Sequence, residues 1–129
     1  MKENQISVFI ANRPGELAKV TSLLADYNIN IRAISVADSS EYGMIRMVTS
    51  NADMAGAALR ERSYTFVMTE VVTAEIPDRP GALSELCKKL ADANVNIRYV
   101  YATVTPGGGV ALAVLSTEDN DRTNELISR

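Results

Sequence analysis

The feature of this sequence that most constrains its fold is an internal repeat. Residues 12–32 (NRPGELAKVTSLLADYNINIR) and residues 78–98 (DRPGALSELCKKLADANVNIR) are identical at 11 of 21 positions without a gap. The same 66-residue offset also matches Ile10 with Ile76, Gly43 with Gly109, Val48 with Val114 and Asp53 with Asp119. An unbroken register of this length predicts two copies of one supersecondary unit.

Each copy begins with a predicted strand and an amphipathic helix. Apolar residues alternate in the strands, at Ile6, Val8 and Ile10 and again at Val72, Ala74 and Ile76. They recur at helical spacing in the helices, at Leu17, Val20, Leu24 and Tyr27 and again at Leu83, Leu86, Leu90 and Ala93. Pro14 and Pro80 are predicted to start these helices, where a missing N–H costs nothing. Asn28 and Asn94 are predicted to end them in the left-handed conformation.

Two further strands and a second helix are predicted in each copy. The second strands are expected at 29–38 and 95–105, the third strands at 44–48 and 110–115, and weaker helices at about 52–62 and 118–128. Turns should join the strands at 39–43 (SSEYG) and 106–109 (PGGG). The glycine run precedes a strand and lacks a following Lys-Ser or Lys-Thr, which favours a hairpin turn over a phosphate loop.

A fourth strand is predicted at 64–70 (YTFVMTE), passing directly into the second copy. The order β-α-β-β-α-β is that of the ferredoxin-like fold, an antiparallel sheet with two helices on one face. The sequence therefore predicts an α+β protein of two such units, residues 1–70 and 71–129. Arg129 falls on Ser63 at the same offset, so the last strand of the second unit is expected to lie beyond the given residues, to be absent, or to be replaced by another segment.

The strands are apolar on both faces, so the face away from the helices is also expected to be covered. In the second strand, Ile29, Ile31 and Ala33 should point one way and Ile34 and Val36 the other. A unit of about 65 residues buries little surface by itself. We therefore expect the two halves to pair and the chain to form a homodimer.

Composition argues against several classes of function. The 129 residues are 47% apolar and 22% charged, as in a soluble globular protein, and the net charge of −3 with scattered basic residues argues against nucleic-acid binding. There is no histidine and one cysteine, Cys87, so no metal site and no cofactor are predicted and an enzyme is disfavoured. The apolar stretch 110–115 is too short to span a membrane. A single cysteine fits a cytoplasmic protein.

The repeated turn offers groups that could hold a zwitterion. A helix that starts beside Gly15 or Gly81 presents free backbone N–H groups to a carboxylate. Side-chain oxygens that could accept from an ammonium group precede the turns and begin the neighbouring strands, at Asn12, Asn30, Asp78 and Asn96. The same residue types also make a good turn and cap without a ligand, and this alternative stays open.

The motifs NRPGEL and DRPGAL, each between a strand and a helix that ends in NINI or NVNI, resemble those of the ACT domain family. The resemblance covers residues 5–70 and 71–129. It implies a stand-alone tandem ACT protein that binds small effectors, mostly amino acids, at interfaces between paired domains and regulates an enzyme partner. It implies these ligand-binding residues: Asn12, Arg13, Pro14, Gly15, Glu16, Leu17, Asn30, Ile31, Asp78, Arg79, Pro80, Gly81, Ala82, Leu83, Asn96 and Ile97.

Two other classes of function stay open beside this one. A structural or protein-interaction module would use the apolar face and the open sheet edge, without responding to small molecules. A small hydrolase of the acylphosphatase type would need an arginine cradle, for which Arg13 and Arg79 give weak support. The leading hypothesis is a non-catalytic amino-acid sensor with no catalytic residues, no metal, no membrane and no nucleic-acid partner.

Overall fold

The computed structural model describes residues 1–38 and 41–129, which form six strands and four helices. The strands are β1 (Lys2–Ala11), β2 (Ile31–Asp38), β3 (Tyr42–Thr49), β4 (Thr65–Pro77), β5 (Ile97–Val104) and β6 (Val110–Thr117). The helices are α1 (Glu16–Asp26), α2 (Ala52–Glu61), α3 (Ala82–Asp92) and α4 (Asn120–Ile127). This order confirms the predicted α+β class. The turn predicted at 39–43 includes Ser39 and Ser40, which lie outside the described residues.

The chain divides into two compact units. The first unit consists of residues 4–69, and the second unit consists of residues 70–129 together with residues 1–3. In the first unit β3 pairs antiparallel with both β1 and β2, and in the second unit β6 pairs antiparallel with both β4 and β5. Two helices accompany each set of strands, as the ferredoxin-like order predicts.

The core of the first unit lies between the helices and one face of the strands. The register pairs Ile6 with Met47 and Val8 with Ile45, so these four buried side chains share a face. The cluster is completed by residues from both helices and from the end of the unit: Val20, Leu23, Leu24, Ala55, Ala58, Leu59, Tyr64 and Phe66.

The second unit has an equivalent core. Ala113 and Leu115 of β6 pack with Leu86 and Leu90 of α3 and with Leu126 of α4. Leu24 in the first unit and Leu90 in the second occupy the same helix position, and neither is exposed. The repeat in the sequence is therefore a repeat of core positions.

The predicted offset fails after the second strand of each unit. Ile31 and Ile97 begin β2 and β5, 66 residues apart, whereas Tyr42 and Val110 begin β3 and β6, 68 residues apart. The second hairpin is thus two residues longer, and the expected matches of Gly43 with Gly109, Val48 with Val114 and Asp53 with Asp119 are wrong. Strand side chains alternate with a period of two, so an insertion of two residues keeps every side chain on its face and hides the shift.

A β-bulge changes the predicted facing of β2. Ile31 pairs with Thr49 and Ala33 pairs with Val48, so the register shifts between them. Ile31 therefore joins Ile34 on the helix side, while Ala33 is buried on the opposite face. The expectation that Ile31 and Ala33 point the same way is wrong.

In the second unit, residues 1–3 occupy part of the position that a fourth strand would fill. No strand follows α4 in the described part of the chain, and Arg129 corresponds to Glu61 at the 68-residue offset rather than to Ser63. The Met1 ammonium donates to the Thr73 carbonyl (2.7 Å) and the Thr73 N–H donates to the Met1 carbonyl (2.8 Å). This reciprocal exchange is an antiparallel ladder pair.

The helices are short. The longest, α1 and α3, have 11 residues each. Among residues 1–38 and 41–129, no helix has the length and hydropathy that a membrane span requires.

Candidate functional site

The repeated Arg-Pro-Gly segment forms the same tight turn in both units. In the first unit the Glu16 N–H donates to the Arg13 carbonyl at 3.4 Å, and Gly15 has φ 89° and ψ −13°. These angles are close to the values of about +80° and 0° at the third position of a type II turn, whose second position favours proline. Glycine is needed here because the left-handed region strains other residues.

The turn in the second unit has the same backbone. Gly81 again has φ 89° and ψ −13°, and the Ala82 N–H donates to the Arg79 carbonyl at 3.2 Å. Since the type II turn places the proline two residues before the first helical residue, Pro14 and Pro80 lie outside the helices. The prediction that they start the helices is wrong, because the glycine intervenes as the N-cap residue.

Helices α1 and α3 begin without a side-chain cap, unlike the other two helices. The Asn51 side chain accepts from the Met54 N–H in α2, and the Asp119 side chain accepts from the Arg122 N–H in α4, both at 3.0 Å. No side chain makes the equivalent bond where α1 and α3 start. Two helix N-termini therefore present backbone donors and the positive end of the helix dipole.

The apolar residues beside these N-termini face outward. Leu17 and Leu83 are 39% and 41% exposed, which corrects the prediction that they belong to the core stripe of their helices. Tyr27 is also 39% exposed, with its hydroxyl donating to Glu61 at 3.0 Å. Each uncapped helix start thus carries an exposed leucine that a ligand or a partner could cover.

A buried carboxylate distinguishes the first turn. Glu16 is 7% exposed and accepts at its Oε1 from Arg13 Nε at 2.8 Å and from Lys19 Nζ at 3.3 Å. The hydrogen bond from Arg13 is the main reason that the pKa of Glu16 lies below its ordinary value; burial opposes this shift and Lys19 reinforces it. A negative charge is therefore built into the first turn of α1.

The second turn lacks this carboxylate. Ala82 takes the place of Glu16, and Arg79 Nη2 instead pairs with Glu85 Oε2 at 2.9 Å, where both side chains are exposed. Asp78 precedes the turn and is exposed, and its side chain makes no hydrogen bond within the described residues. The negative charge in the second unit therefore lies in front of the helix rather than on its first residue.

The backbones of Asn30 and Asn96 are fixed at the start of β2 and β5. The Asn30 N–H donates to Ser50 Oγ at 2.9 Å and its carbonyl accepts from the Ser50 N–H at 2.8 Å. The Asn96 N–H donates to Glu118 Oε1 and its carbonyl accepts from the Glu118 N–H, both at 3.1 Å. Both asparagine side chains are left exposed, without a hydrogen bond to any described residue.

Ser50 and Glu118 were not identified from the sequence. At the 66-residue offset Ser50 aligns with Ser116, whereas at the structural offset of 68 it aligns with Glu118. An alignment that allowed a gap in the hairpin would have paired them, and the equivalent N-caps Asn51 and Asp119 would have marked the correct register.

The structure does not bring Asn12 and Asn30 together within the first unit. The Asn12 N–H donates to the Glu41 carbonyl at one end of β3, and Asn30 bonds to Ser50 at the other end. Strands rise by about 3.3 Å per residue, so the length of β3 separates them by roughly 20 Å or more. One amino acid cannot contact both residues of the same unit.

The other asparagines are structural, as predicted. Asn28 and Asn94 have φ 57° and 61°, and the following N–H groups of Ile29 and Val95 return to Leu24 and Leu90. These are Schellman caps, which need no ligand. Within the described part of the chain, no three His, Cys, Asp or Glu side chains gather as a metal site.

The similarity of this chain to a known protein family extends over its whole length. Residues 1–129 match the family model described as the ACT domain pair. The chain belongs to this family. The predicted resemblance to a tandem ACT protein is thus confirmed, and ACT domains are generally regulatory modules that bind small molecules. No curated protein matches the chain.

Solved structures agree with the family. Protein BT0572 from Bacteroides thetaiotaomicron is 32% identical, with a TM-score of 0.91, over 99% of this chain and 88% of that chain. The ligand-free regulatory subunit of aspartate kinase from Thermus thermophilus has a TM-score of 0.70 at 17% identity, covering 97% and 90%. The corresponding subunit from Thermus flavus has 0.67 at 19%, covering 99% and 94%. Because the identities are as low as 17% and 19%, the similarity to the two Thermus proteins shows only that they have the same fold as this chain.

Proposed function

We propose that this ACT domain pair is a non-catalytic regulatory protein that binds an amino acid or a similar small effector at its two Arg-Pro-Gly turns. The observation that carries the proposal is the pair of uncapped helix starts, at Gly15 and Gly81, in a chain whose other two helices are capped by side chains. Backbone N–H groups at a helix N-terminus favour a carboxylate.

The proposed ligand site extends over the turn and the first helical turn of each unit. In the first unit it comprises Asn12, Arg13, Pro14, Gly15, Glu16 and Leu17, and in the second Asp78, Arg79, Pro80, Gly81, Ala82 and Leu83. Glycine at the N-cap leaves open space around its Cα, since nothing lies within 4 Å of a Cβ built on Gly15. A ligand carboxylate can therefore approach the backbone donors closely.

A second copy of the chain would complete each site. Asn30 and Asn96 have exposed side-chain amides whose oxygens could accept a hydrogen bond from the ligand ammonium, and Ile31 and Ile97 follow them in the chain. Asn30 is nevertheless too far from Asn12 of its own unit for one ligand to contact both. We propose that a homodimer brings the amide of one copy to the turn of the other, covering Leu17 and Leu83. The ligand then favours the paired arrangement, which is the requirement for regulation.

The partner of the proposed sensor is an enzyme. Two of the similar structures are named regulatory subunits of aspartate kinase. This chain contains no histidine and, among its described residues, no metal cluster. We propose that it modulates a separate catalytic protein in the cytoplasm, where a single free cysteine is compatible with reducing conditions.

A thermal-shift panel of the twenty amino acids at millimolar concentration tests the binding. A ligand at 100 times its dissociation constant should add about 2.7 kcal/mol to the stability. The shift should fall in Asn30→Ala and Asn96→Ala, and it should persist in the control Glu125→Ala, an exposed residue in the last part of α4. A flat panel from folded protein, or a shift that none of these changes alters, would refute the proposal.

Mixing variants tests the dimer. The double variant Asn12→Ala with Asp78→Ala and the double variant Asn30→Ala with Asn96→Ala should each bind weakly. In a mixture of the two, dimers that contain one chain of each kind have an intact site, so part of the thermal shift should return. If each site lies in a single chain, no mixture will restore binding.

A further inference from the structure

A groove in the second unit exposes apolar residues whose counterparts in the first unit are covered by two aromatic side chains. The groove has a volume of about 540 Å³ and runs between β4, α3 and the end of α4. Its floor is apolar, with Ala74, Ile76, Leu86 and Ile127, and its rim carries charges of both signs: Glu75, Glu85, Lys88, Lys89 and Asp92. A concavity of this size with an apolar floor is typical of a binding site.

The first unit shows which side chains cover the equivalent apolar residues. Asp26 of α1, which lies 66 residues before Asp92, lines a smaller pocket of about 420 Å³ in the equivalent region, together with Lys19, Arg62 and Tyr64. Tyr64 and Phe66 pack against the core beside Ile10, the residue equivalent to Ile76. No described residue of the second unit occupies the position that Tyr64 or Phe66 has in the first unit.

The backbone edge next to the groove is also unpaired. Thr73 exchanges two hydrogen bonds with Met1, and pairing of this edge ends there within the described residues. Backbone groups two residues apart on a strand point to the same side, so the N–H and carbonyl of Glu75 lie on this edge. An extended segment could therefore add as a strand beside Glu75.

We propose that this groove binds an extended segment of a partner protein with two aromatic side chains at alternate positions. The pattern is that of Tyr64 and Phe66, and a basic residue two positions earlier would face Asp92 as Arg62 lies near Asp26. A second copy of the chain is disfavoured as the occupant, because its own Tyr64 and Phe66 are already packed in its core. Backbone pairing supplies affinity and the aromatic side chains supply selectivity.

The experiment uses a peptide with the sequence RSYTF, residues 62–66, acetylated and amidated. Titrated into the ¹⁵N-labelled full chain, it should shift the backbone NMR signals around Glu75 and Leu86 in a saturable way. Glu75→Pro removes the edge N–H and should weaken binding by about tenfold, whereas Glu75→Gln keeps the N–H and should bind almost as the unchanged chain does. The same peptide with alanine at both aromatic positions should not bind.

Four outcomes would overturn the proposal. The alanine peptide could bind as well as the aromatic one, or the shifts could fall away from the groove. A dimer that protects the Glu75 amide from hydrogen exchange would make a second copy the occupant. An amino acid that shifts the same signals, with no response to the peptide, would make the groove a small-molecule site. The peptide controls remain decisive even if Glu75→Pro fails to fold.

Discussion

The two Arg-Pro-Gly turns have the same backbone but different surroundings. Gly15 and Gly81 share φ 89° and ψ −13°, and both precede an uncapped helix. The next residue is a buried, ion-paired Glu16 in one unit and Ala82 in the other. Duplication has kept the backbone donors and has changed the charge beside them. The proposed sites at the two turns should therefore have the same backbone geometry and unequal affinity for an anion.

The two cores differ in a similar way. The first is closed by Tyr64 and Phe66, while the second opens into the groove beside Leu86. The helix positions that build the cores are equivalent, so matched substitutions in the two units can separate the effect of the local environment from that of the residue.

Truncation of the core leucines should have the largest effect. Leu24→Ala and Leu90→Ala each remove a side chain with no exposure, and such changes cost about 2–5 kcal/mol. Leu24→Ala should cost more, because the closed first core can collapse less around the cavity. Urea unfolding measures both values, and a greater loss for Leu90→Ala would contradict the comparison.

The shared turn geometry predicts equal costs at the two glycines. Gly15→Ala and Gly81→Ala force alanine into the left-handed region and should each lower the free energy of unfolding by about 1–2 kcal/mol. The corresponding changes to asparagine should cost less, because asparagine tolerates this conformation. Clearly different values for the two alanine variants, measured by urea unfolding, would show that the turns are not equivalent.

The charge difference predicts a smaller effect on ligand affinity. Ala82→Glu should weaken binding of an amino acid by about two- to fivefold at the second turn, the size of a single charge effect at a helix terminus. Glu16→Gln should strengthen it at the first turn by a similar factor. Calorimetric titration checks both variants, and Ala82→Gln is the uncharged control. A change of the opposite sign would place the ligand ammonium, not its carboxylate, at the helix start.

The smallest expected effect concerns acid stability. The pKa of Glu16 in the folded chain lies below the ordinary value of 4.5, chiefly because of Arg13. Its stabilising contribution is therefore fully present above that ordinary value and is lost as the pH falls through the lowered pKa. Glu16→Gln should lose less stability than the unchanged chain in urea unfolding between about pH 6 and pH 3. An unchanged pH profile would show that the ion pair does not contribute.

Local patterns predicted the caps and the order of elements correctly, but they wrongly placed Pro14 and Pro80 inside the helices and Leu17 and Leu83 in the core. Longer-range geometry was not predicted. The left-handed caps at Asn28 and Asn94 follow from the residue itself, and the strand and helix order follows from hydrophobic periodicity. The two-residue insertion in the second hairpin preserves alternation and is invisible to such patterns. The bulge after Ile31 depends on pairing with β3. No local pattern gives a spatial separation, so the distance between Asn12 and Asn30 needed the structure.

The most direct test of the proposed function is an amide-resolved NMR titration with the twenty amino acids, pooled at millimolar concentration, and then with the corresponding amino-acid amides. If the turns hold a carboxylate, the backbone signals of Leu17, Ala18, Leu83 and Ser84 should shift with the amino acids and not with the amides. Equal shifts with both sets, or no shift at these four helix-start residues, would contradict the account.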